Sequence, residues 1–466
     1  MFIRLALTAC LLAPALAGAS IAAAQRTWES SPSAWRKLVI QLVDGGKPFS
    51  AVPFMKEFLT QNRAALDEEL EQAFERLITH TGVRPFETLP ASVLEQSRSP
   101  VIRYVLAKKH FRAGRWAQAQ GELARVNANH PVYPFAIHLR AATHAMEGKT
   151  AEAERDFQDC VAFSRSRYNA ESNPVKLRQL MFNRDSCLAG IARTAYGKGE
   201  HARADLLFLD IQKSSYIWPE ILFEEAWSSY QLKNYNRTLG KLVSYKAPVF
   251  DFVFNPEIDV LRGLAYMRLC LYEDVNKTVE DFYGLWQEPA KNMRGFIVQH
   301  GRDYDYYYRL LTTFEKEKQA PDFLMQAMML STVKDPAWQE MKQALIDAVN
   351  EHNTLKGSVR GNFGQVLSRN VRTIVEDYQD LMGSYAQAQF REKYGALAQA
   401  FEDMSFIKLE VLSRRKQALY EETGKGGKRG DVKYIQRNEK QYFWDFNGEF
   451  WADELGDYVF ALRSEC

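Results

Sequence analysis

Apolar residues recur at helical spacing along most of the sequence, and between residues 101 and 284 they do so in a repeated order. Each repeat contains a cluster of three residues that reads as a turn followed by a helix start. The clusters are Gly114-Arg115-Trp116, Gly148-Lys149-Thr150, Gly199-Glu200-His201, Lys233-Asn234-Tyr235 and Cys270-Leu271-Tyr272. Their third residues lie 34, 51, 34 and 37 positions apart. Such a period predicts about five stacked helix-turn-helix units over residues 101–284, and hence an all-α fold.

The third residue of each cluster is expected to open a second helix. In the first unit Trp116 is followed at +3, +7 and +10 by small or apolar residues, and the other units repeat this spacing. Side chains at these steps lie on one stripe of a helix, which predicts that they are buried against the first helix. A small residue in each first helix allows the close approach; these residues are Ala107, Ala141, Ala192, Ala226 and Gly263.

This pattern resembles the tetratricopeptide family. The resemblance implies a helical-hairpin solenoid whose inner face binds a segment of another protein. In that family the first helices line the face, and alignment places six charged residues of this chain there: Arg103, Lys109, Arg140, Arg193, Glu225 and Arg262. Because arginines recur among them, we expect an acidic or C-terminal peptide as the ligand.

Residues 1–24 have the features of an export signal. Arg4 supplies a positive charge, an apolar stretch follows, and Ala22-Ala23-Ala24 forms a small-residue cleavage site before Gln25. A lipoprotein signal ending at Cys10 is the alternative, although few apolar residues precede it. No later run is apolar for long enough to span a membrane. The mature protein is therefore expected in the periplasm or cell envelope, without a transmembrane segment.

The rest of the chain divides by pattern into three further regions. Residues 25–100 are irregularly helical and predict an N-terminal cap for the solenoid. Residues 285–430 predict longer helices that form a hairpin or antiparallel coiled coil, which would also permit self-association. Gly361, Gly364 and Gly383 argue against one unbroken helix there, and residues 423–430 read as a flexible basic loop. Residues 431–466 are rich in aromatic side chains and either pack on the helices or form an exposed interaction patch.

Composition excludes some partners. The net charge is +2, and no basic stripe interleaved with aromatic residues occurs, so nucleic acid is not an expected ligand. The histidines are scattered, and H-E-x-x-H, C-x-x-C and G-x-S-x-G are absent from the sequence, so we expect no metal, cofactor or catalytic site. Cys160 and Cys187 lie on neighbouring units, where two interpretations stay open: a disulfide, or a buried thiol at Cys160.

These features favour a non-catalytic envelope scaffold that binds another protein. The closing sequence from Asn447 to Gly456 resembles that of envelope tetratricopeptide proteins of delta-group bacteria, some of which belong to the adventurous gliding motility machinery. The resemblance implies a place in a motility or trafficking complex. The alternative function is a cell-wall-acting enzyme with its site in the C-terminal helical region, which would need a positioned acid and base.

We predict that the exported protein begins at Gln25, because the small residues at −3 and −1 of the site are those a signal peptidase accepts. Intact-mass spectrometry of protein from the periplasmic fraction measures this. The variant Ala24→Phe should retain the precursor, whereas Ala23→Phe, at the tolerant middle position, should be processed normally. An N-terminus at Met1, or a lipid-modified Cys10, would contradict the prediction.

Overall fold

The computed structural model describes residues 19–62, 66–420, 439 and 441–466. These residues form α-helices joined by turns and short 3-10 segments, and no strand occurs among them. The predicted all-α class is thereby confirmed. The chain forms two compact units, one comprising Met1–Ile191 with Glu340–Leu381 and the other Ala192–Gln339 with Met382–Cys466. They are called unit 1 and unit 2 below.

The helices are numbered in chain order. Residues 19–30 are helical and belong to α1. The others are α2 Trp35–Asp44, α3 Pro48–Gln61, α4 Glu68–Thr81, α5 Ala91–Gln96, α6 Pro100–Arg112, α7 Trp116–Leu123, α8 Tyr133–Met146, α9 Thr150–Ala170, α10 Pro174–Gly197, α11 His201–Phe208, α12 Trp218–Gln231, α13 Tyr235–Val243, α14 Glu257–Arg268, α15 Tyr272–His300, α16 Tyr304–Glu317, α17 Phe323–Lys334, α18 Pro336–Ser358 and α19 Gly361–Tyr420. Short 3-10 segments cover Arg84–Thr88, Ser244–Lys246 and Pro248–Phe250.

The predicted hairpins are present, from α6–α7 to α14–α15. Each second helix begins at the residue that the sequence pattern assigned to it: Trp116, Thr150, His201, Tyr235 and Tyr272. The small residues of the first helices are buried, and so are the +3 and +7 residues of the second helices. Gly263 departs from the expectation, because a Cβ there would meet Ile407 of α19 and no atom of α15. These tetratricopeptide-like hairpins confirm the repeat prediction at the level of fold.

One turn joins the two helices in every hairpin. Its central residue has a positive φ, as at Gly114 (69°), Gly148 (75°), Gly199 (79°), Lys233 (62°) and Cys270 (58°). The next residue donates its N–H to the carbonyl five positions earlier, for example Arg115 to His110 at 2.9 Å. This arrangement is the Schellman motif, which satisfies the last carbonyls of the first helix. Because the turn is repeated, the second helix begins in the same way in every hairpin.

The C-terminal region departs from prediction. His352 on α18 contacts Ser368 on α19 at 3.4 Å, so the two helices run antiparallel as a hairpin, as expected. Gly361 stands at the start of α19, but α19 is then one unbroken helix of 60 residues, so Gly364 and Gly383 do not break it. Gly383 explains part of the difference, because a Cβ there would lie 1.9 Å from the carbonyl oxygen of Tyr304. Gly383 therefore allows the first residue of α16 to lie against α19.

Two predictions concern residues outside the described ranges. The first 18 residues of the proposed signal and the proposed basic loop at 423–430 are not described. The residues around the proposed cleavage site are described, and they lie within α1, with Ala24 buried. Among the helices of the described ranges, none combines the length and apolar character that a membrane crossing requires.

We predict opposite effects for two glycine substitutions in α19. Gly383→Ala should lower the free energy of unfolding by about 1–3 kcal/mol, because the added methyl group meets the Tyr304 carbonyl. Gly395→Ala meets open space and should raise it by about 0.5–1 kcal/mol, since alanine is the better helix former. Urea unfolding followed by circular dichroism measures both. Equal effects of the two substitutions would contradict the packing described for Gly383.

Candidate protein-binding surfaces

The six charged residues assigned to the first helices all make contacts within the chain. In unit 1, Arg103 pairs with Glu122 of α7 and only 11% of its side chain is exposed. Lys109 donates to the carbonyl of Glu87 at 3.0 Å. Both side chains therefore hold neighbouring elements together as well as carrying charge.

Arg140, also in unit 1, makes a two-bond contact with a carboxylate. Its Nε and Nη2 both donate to the carboxylate of Asp156 on α9 at 2.8 Å, and His144 Nδ1 lies 3.0 Å from the same carboxylate. These hydrogen bonds with Asp156 raise the pKa of Arg140. Two parallel N–H bonds to one carboxylate fix both position and direction. A quarter of the Arg140 side chain remains exposed.

In unit 2, an ion pair occupies the positions equivalent to those of Arg140 and Asp156, with the two charges exchanged. Glu225, on the first helix α12, accepts a hydrogen bond from Lys241 Nζ on α13 at 2.7 Å. Arg140 and Glu225 each stand ten residues before the start of their second helix, and Asp156 and Lys241 each stand six after it. Side-chain exposure is only 11% for Lys241 and 5% for Glu225. Burial raises the pKa of Glu225, and the ammonium group of Lys241 acts against that shift.

Arg193 is the most exposed of the six. Its guanidinium donates to both carboxylate oxygens of Glu224 and to Glu220, at distances from 2.6 to 3.0 Å. The exposed fraction of its side chain is 46%, and that of Glu220 is 66%. Arg262 is less exposed and pairs with Asp259 one turn earlier at 2.7 Å. Whether any of the six binds a partner stays a prediction.

The aromatic tail divides into two parts: one packs on the helices, as the first interpretation expected, and the other is exposed, where an interaction patch stays a prediction. Exposed aromatic side chains occupy its first part: Tyr442, Trp444, Phe446 and Trp451. Leu455, by contrast, is buried with Trp218 and Leu222, and later apolar residues pack on α13 and α14. We call residues 455–466 the strap.

A disulfide joins Cys270 to Cys466 and ties the strap to the turn between α14 and α15. Sequence reasoning did not find this bond. The available clue was that Cys270 occupies the left-handed turn position that glycine holds in three of the other hairpins. Cysteine is a costly choice there unless its side chain is needed.

A second disulfide joins Cys160 on α9 to Cys187 on α10, which decides between the two interpretations left open by the sequence. His138 lies beside it, with the two sulfur atoms and a ring nitrogen all within 4.8 Å of one another. Among the described residues this is the group of histidine, cysteine and acidic side chains that comes close enough to hold a metal ion. Because the sulfur atoms are bonded to each other, they are not thiolate ligands in this structure.

Comparisons with known proteins add little to this picture. No protein-family model matches the sequence, and no curated protein matches it either. Among solved structures, the tetratricopeptide-repeat domain of P58(IPK) is similar over 72% of this chain and 98% of that chain, at 13% identity and a TM-score of 0.20. A TM-score this low carries no argument, so the hairpins themselves define the repeat type.

We predict that Glu225 stabilises the fold and that Arg193 does so far less. Glu225→Gln should lower the free energy of unfolding by about 3–5 kcal/mol, because it leaves the buried ammonium of Lys241 without its partner charge. Arg193→Gln removes an exposed pair with Glu220 and a partly exposed one with Glu224, and should cost about 1–2 kcal/mol. Urea unfolding of both variants tests this. Similar costs at the two positions would refute the distinction drawn here.

Proposed function

We propose that this protein is a non-catalytic scaffold of the bacterial cell envelope that binds another protein along the first helices of its repeats. The observation that carries the proposal is the repetition itself. The same turn, small residue and buried stripe recur in consecutive hairpins, so that first-helix side chains recur at equivalent positions. Repeated helical hairpins of this kind commonly bind a peptide or helix over several units.

Arg193 is the residue best suited to contact an acidic partner. A partner carboxylate would have to replace Glu220 or Glu224 on the guanidinium. Because the pair with Glu220 is exposed, its net contribution to stability is small and the exchange costs little. Arg262 in the same unit and Arg140 in unit 1 have smaller exposed fractions, and each is a further candidate contact within its own unit. An acidic segment, or the carboxylate at the end of a peptide, is therefore the proposed ligand class.

The envelope location is supported by the two disulfides. Disulfides persist in oxidising compartments such as the periplasm and are rare in the cytosol. The export signal proposed for residues 1–24 agrees with them. A motility or trafficking complex is the finer proposal for the assembly in which the scaffold acts, and it rests on the resemblance of residues 447–456 alone.

We expect charge changes on the first helices to weaken partner capture. The full chain, tagged and crosslinked in intact envelopes, would be compared with Arg193→Glu and with the neutralised triple variant Arg140→Gln, Arg193→Gln and Arg262→Gln. Loss of charge-assisted hydrogen bonds should reduce recovery of specific partners by about tenfold. Arg309→Glu, on α16 and likewise an exposed arginine in an ion pair, is the matched control and should leave capture unchanged.

Thermal unfolding followed by circular dichroism would confirm that each variant is folded. If folded Arg193→Glu and the folded triple variant recover the same partners as the unaltered chain, the first-helix charges do not recognise them. If Arg309→Glu lowers recovery as much as Arg193→Glu does, the effect is one of general charge and the proposed surface is wrong.

A further inference from the structure

After the turn that ends at Asp457, the strap lies on unit 2 as an extended peptide held by its backbone. Asn236 of α13 makes a double contact with Leu462, because its Oδ1 accepts from the Leu462 N–H and its Nδ2 donates to the Leu462 carbonyl, both at 3.0 Å. The N–H of Phe460 donates to the Asn236 carbonyl at 3.1 Å, and that of Glu465 to the Leu269 carbonyl at 2.9 Å. Main-chain bonds of this kind hold an extended segment whatever its side chains.

Alternate side chains of the strap enter apolar sites. Phe460 and Leu462 pack on the cluster of Leu239, Ala265, Leu269 and Leu271. Two residues before Phe460, Tyr458 joins Leu455 on the cluster that contains Trp218 and Leu222. Residues two apart in an extended chain point to the same side, so the surface selects apolar side chains at every second position. We call this surface of α12, α13 and α14 the strap groove.

The groove is shaped for a passing backbone. A Cβ at Gly240, in the middle of α13, would lie 1.6 Å from the carbonyl oxygen of Tyr458. Glycine inside a helix costs about 0.5–1 kcal/mol relative to alanine. The N–H of Gly456 also donates to the hydroxyl of Ser244 at 2.8 Å. Gly240 thus weakens α13 locally but leaves room for the backbone of the strap.

The two disulfides differ in access. Cys160 and Cys187 are fully buried. Cys466, by contrast, is exposed and Cys270 is half-buried, so an attacking thiolate can reach their bond. Reduction by a dithiol would transfer two electrons to this bond, yielding thiols on Cys270 and Cys466 while the dithiol becomes a disulfide. The strap would then be held by its non-covalent contacts alone.

We propose that the strap groove is a peptide-binding site, that residues 455–466 occupy it as an internal ligand, and that the Cys270–Cys466 bond fastens that ligand. The external ligand of the groove is an extended segment of a partner protein with aromatic or aliphatic side chains at alternate positions. A tethered ligand competes with external ligands at an effective concentration of about millimolar. Opening the Cys270–Cys466 bond therefore weakens the hold of the groove on the strap. A competing segment then displaces the strap. This proposal uses none of the first-helix charges.

The binding test uses the full chain and a fluorescent synthetic peptide of residues 455–466 that carries serine in place of Cys466. A strap-broken protein, with Cys466→Ser, Phe460→Asp and Leu462→Asp, should bind the peptide saturably in fluorescence anisotropy. The oxidised unaltered chain should bind it at least about tenfold more weakly, because its groove is filled. Equal affinity of these two proteins, or no binding to a folded strap-broken protein, would overturn the peptide site.

Two further alanine substitutions in the strap-broken protein locate the binding. Gly240→Ala should strengthen α13 yet weaken peptide binding at least about tenfold, because its methyl group occupies the path of the peptide backbone. Gly121→Ala, on α7 and facing open space, is the matched control and should bind like its parent. Unchanged binding by Gly240→Ala would mean that the peptide binds elsewhere and would refute the groove.

The role of the Cys270–Cys466 bond is tested by titrating the unaltered chain with dithiothreitol. Thiol labelling and mass spectrometry should find Cys270 and Cys466 modified before Cys160 and Cys187. Amide hydrogen exchange of Phe460 and Leu462 should accelerate at least about tenfold once the first pair is reduced, because local opening is no longer limited by the bond. Labelling in the reverse order, or unchanged hydrogen exchange after reduction, would show that the bond does not fasten the strap.

Discussion

The left-handed residue between the two helices of each hairpin is the constraint on which the remaining structure depends. It ends the first helix with a Schellman motif and starts the second helix two residues later. Where the small residue of the first helix is alanine, it lets the second helix approach, and the buried stripe follows. Where the residue is not glycine, as at Lys233 and Cys270, the turn costs about 1–2 kcal/mol. The packing of the hairpin offsets that cost, and at Cys270 so does a covalent bond to the strap.

Local chemistry explains which parts of this fold could be predicted. The turn, the helix start and the +3, +7 and +10 stripe all involve residues close in sequence, so Trp116 and its equivalents could be placed from pattern alone. The continuity of α19 could not. Propensity counts Gly383 as a weak point in a helix, but its role is to accommodate the Tyr304 carbonyl, about 80 positions away in sequence. Contacts between residues far apart in the chain, such as this one, produce no periodic pattern in the sequence.

The charged residues illustrate the same limit within a single hairpin. Alignment could identify Arg140 and Glu225 as first-helix residues, but their partners depend on the register of the second helix. Once the hairpins are known, these two pairs share a geometry, because both partners stand at the sixth residue after the second helix begins. The charges are exchanged between these two hairpins, whereas Arg262, at the same first-helix position of the last hairpin, pairs with Asp259 of its own helix. A face predicted from charge alone therefore overstates how much charge it offers a ligand.

The two proposed binding surfaces work by different physics. At Arg193 a partner exchanges one carboxylate for another, and such an exchange between exposed charges is screened within about 8–10 Å at physiological salt. In the strap groove, Asn236 holds a backbone and the sites beside it are apolar, while the ion pair of Asp457 with Lys213 is exposed and contributes little. Added salt should therefore weaken recognition at the first helices while leaving the groove almost unaffected. A protein with both surfaces can hold one partner by side-chain charge and another by its extended backbone, and only the second is subject to the disulfide.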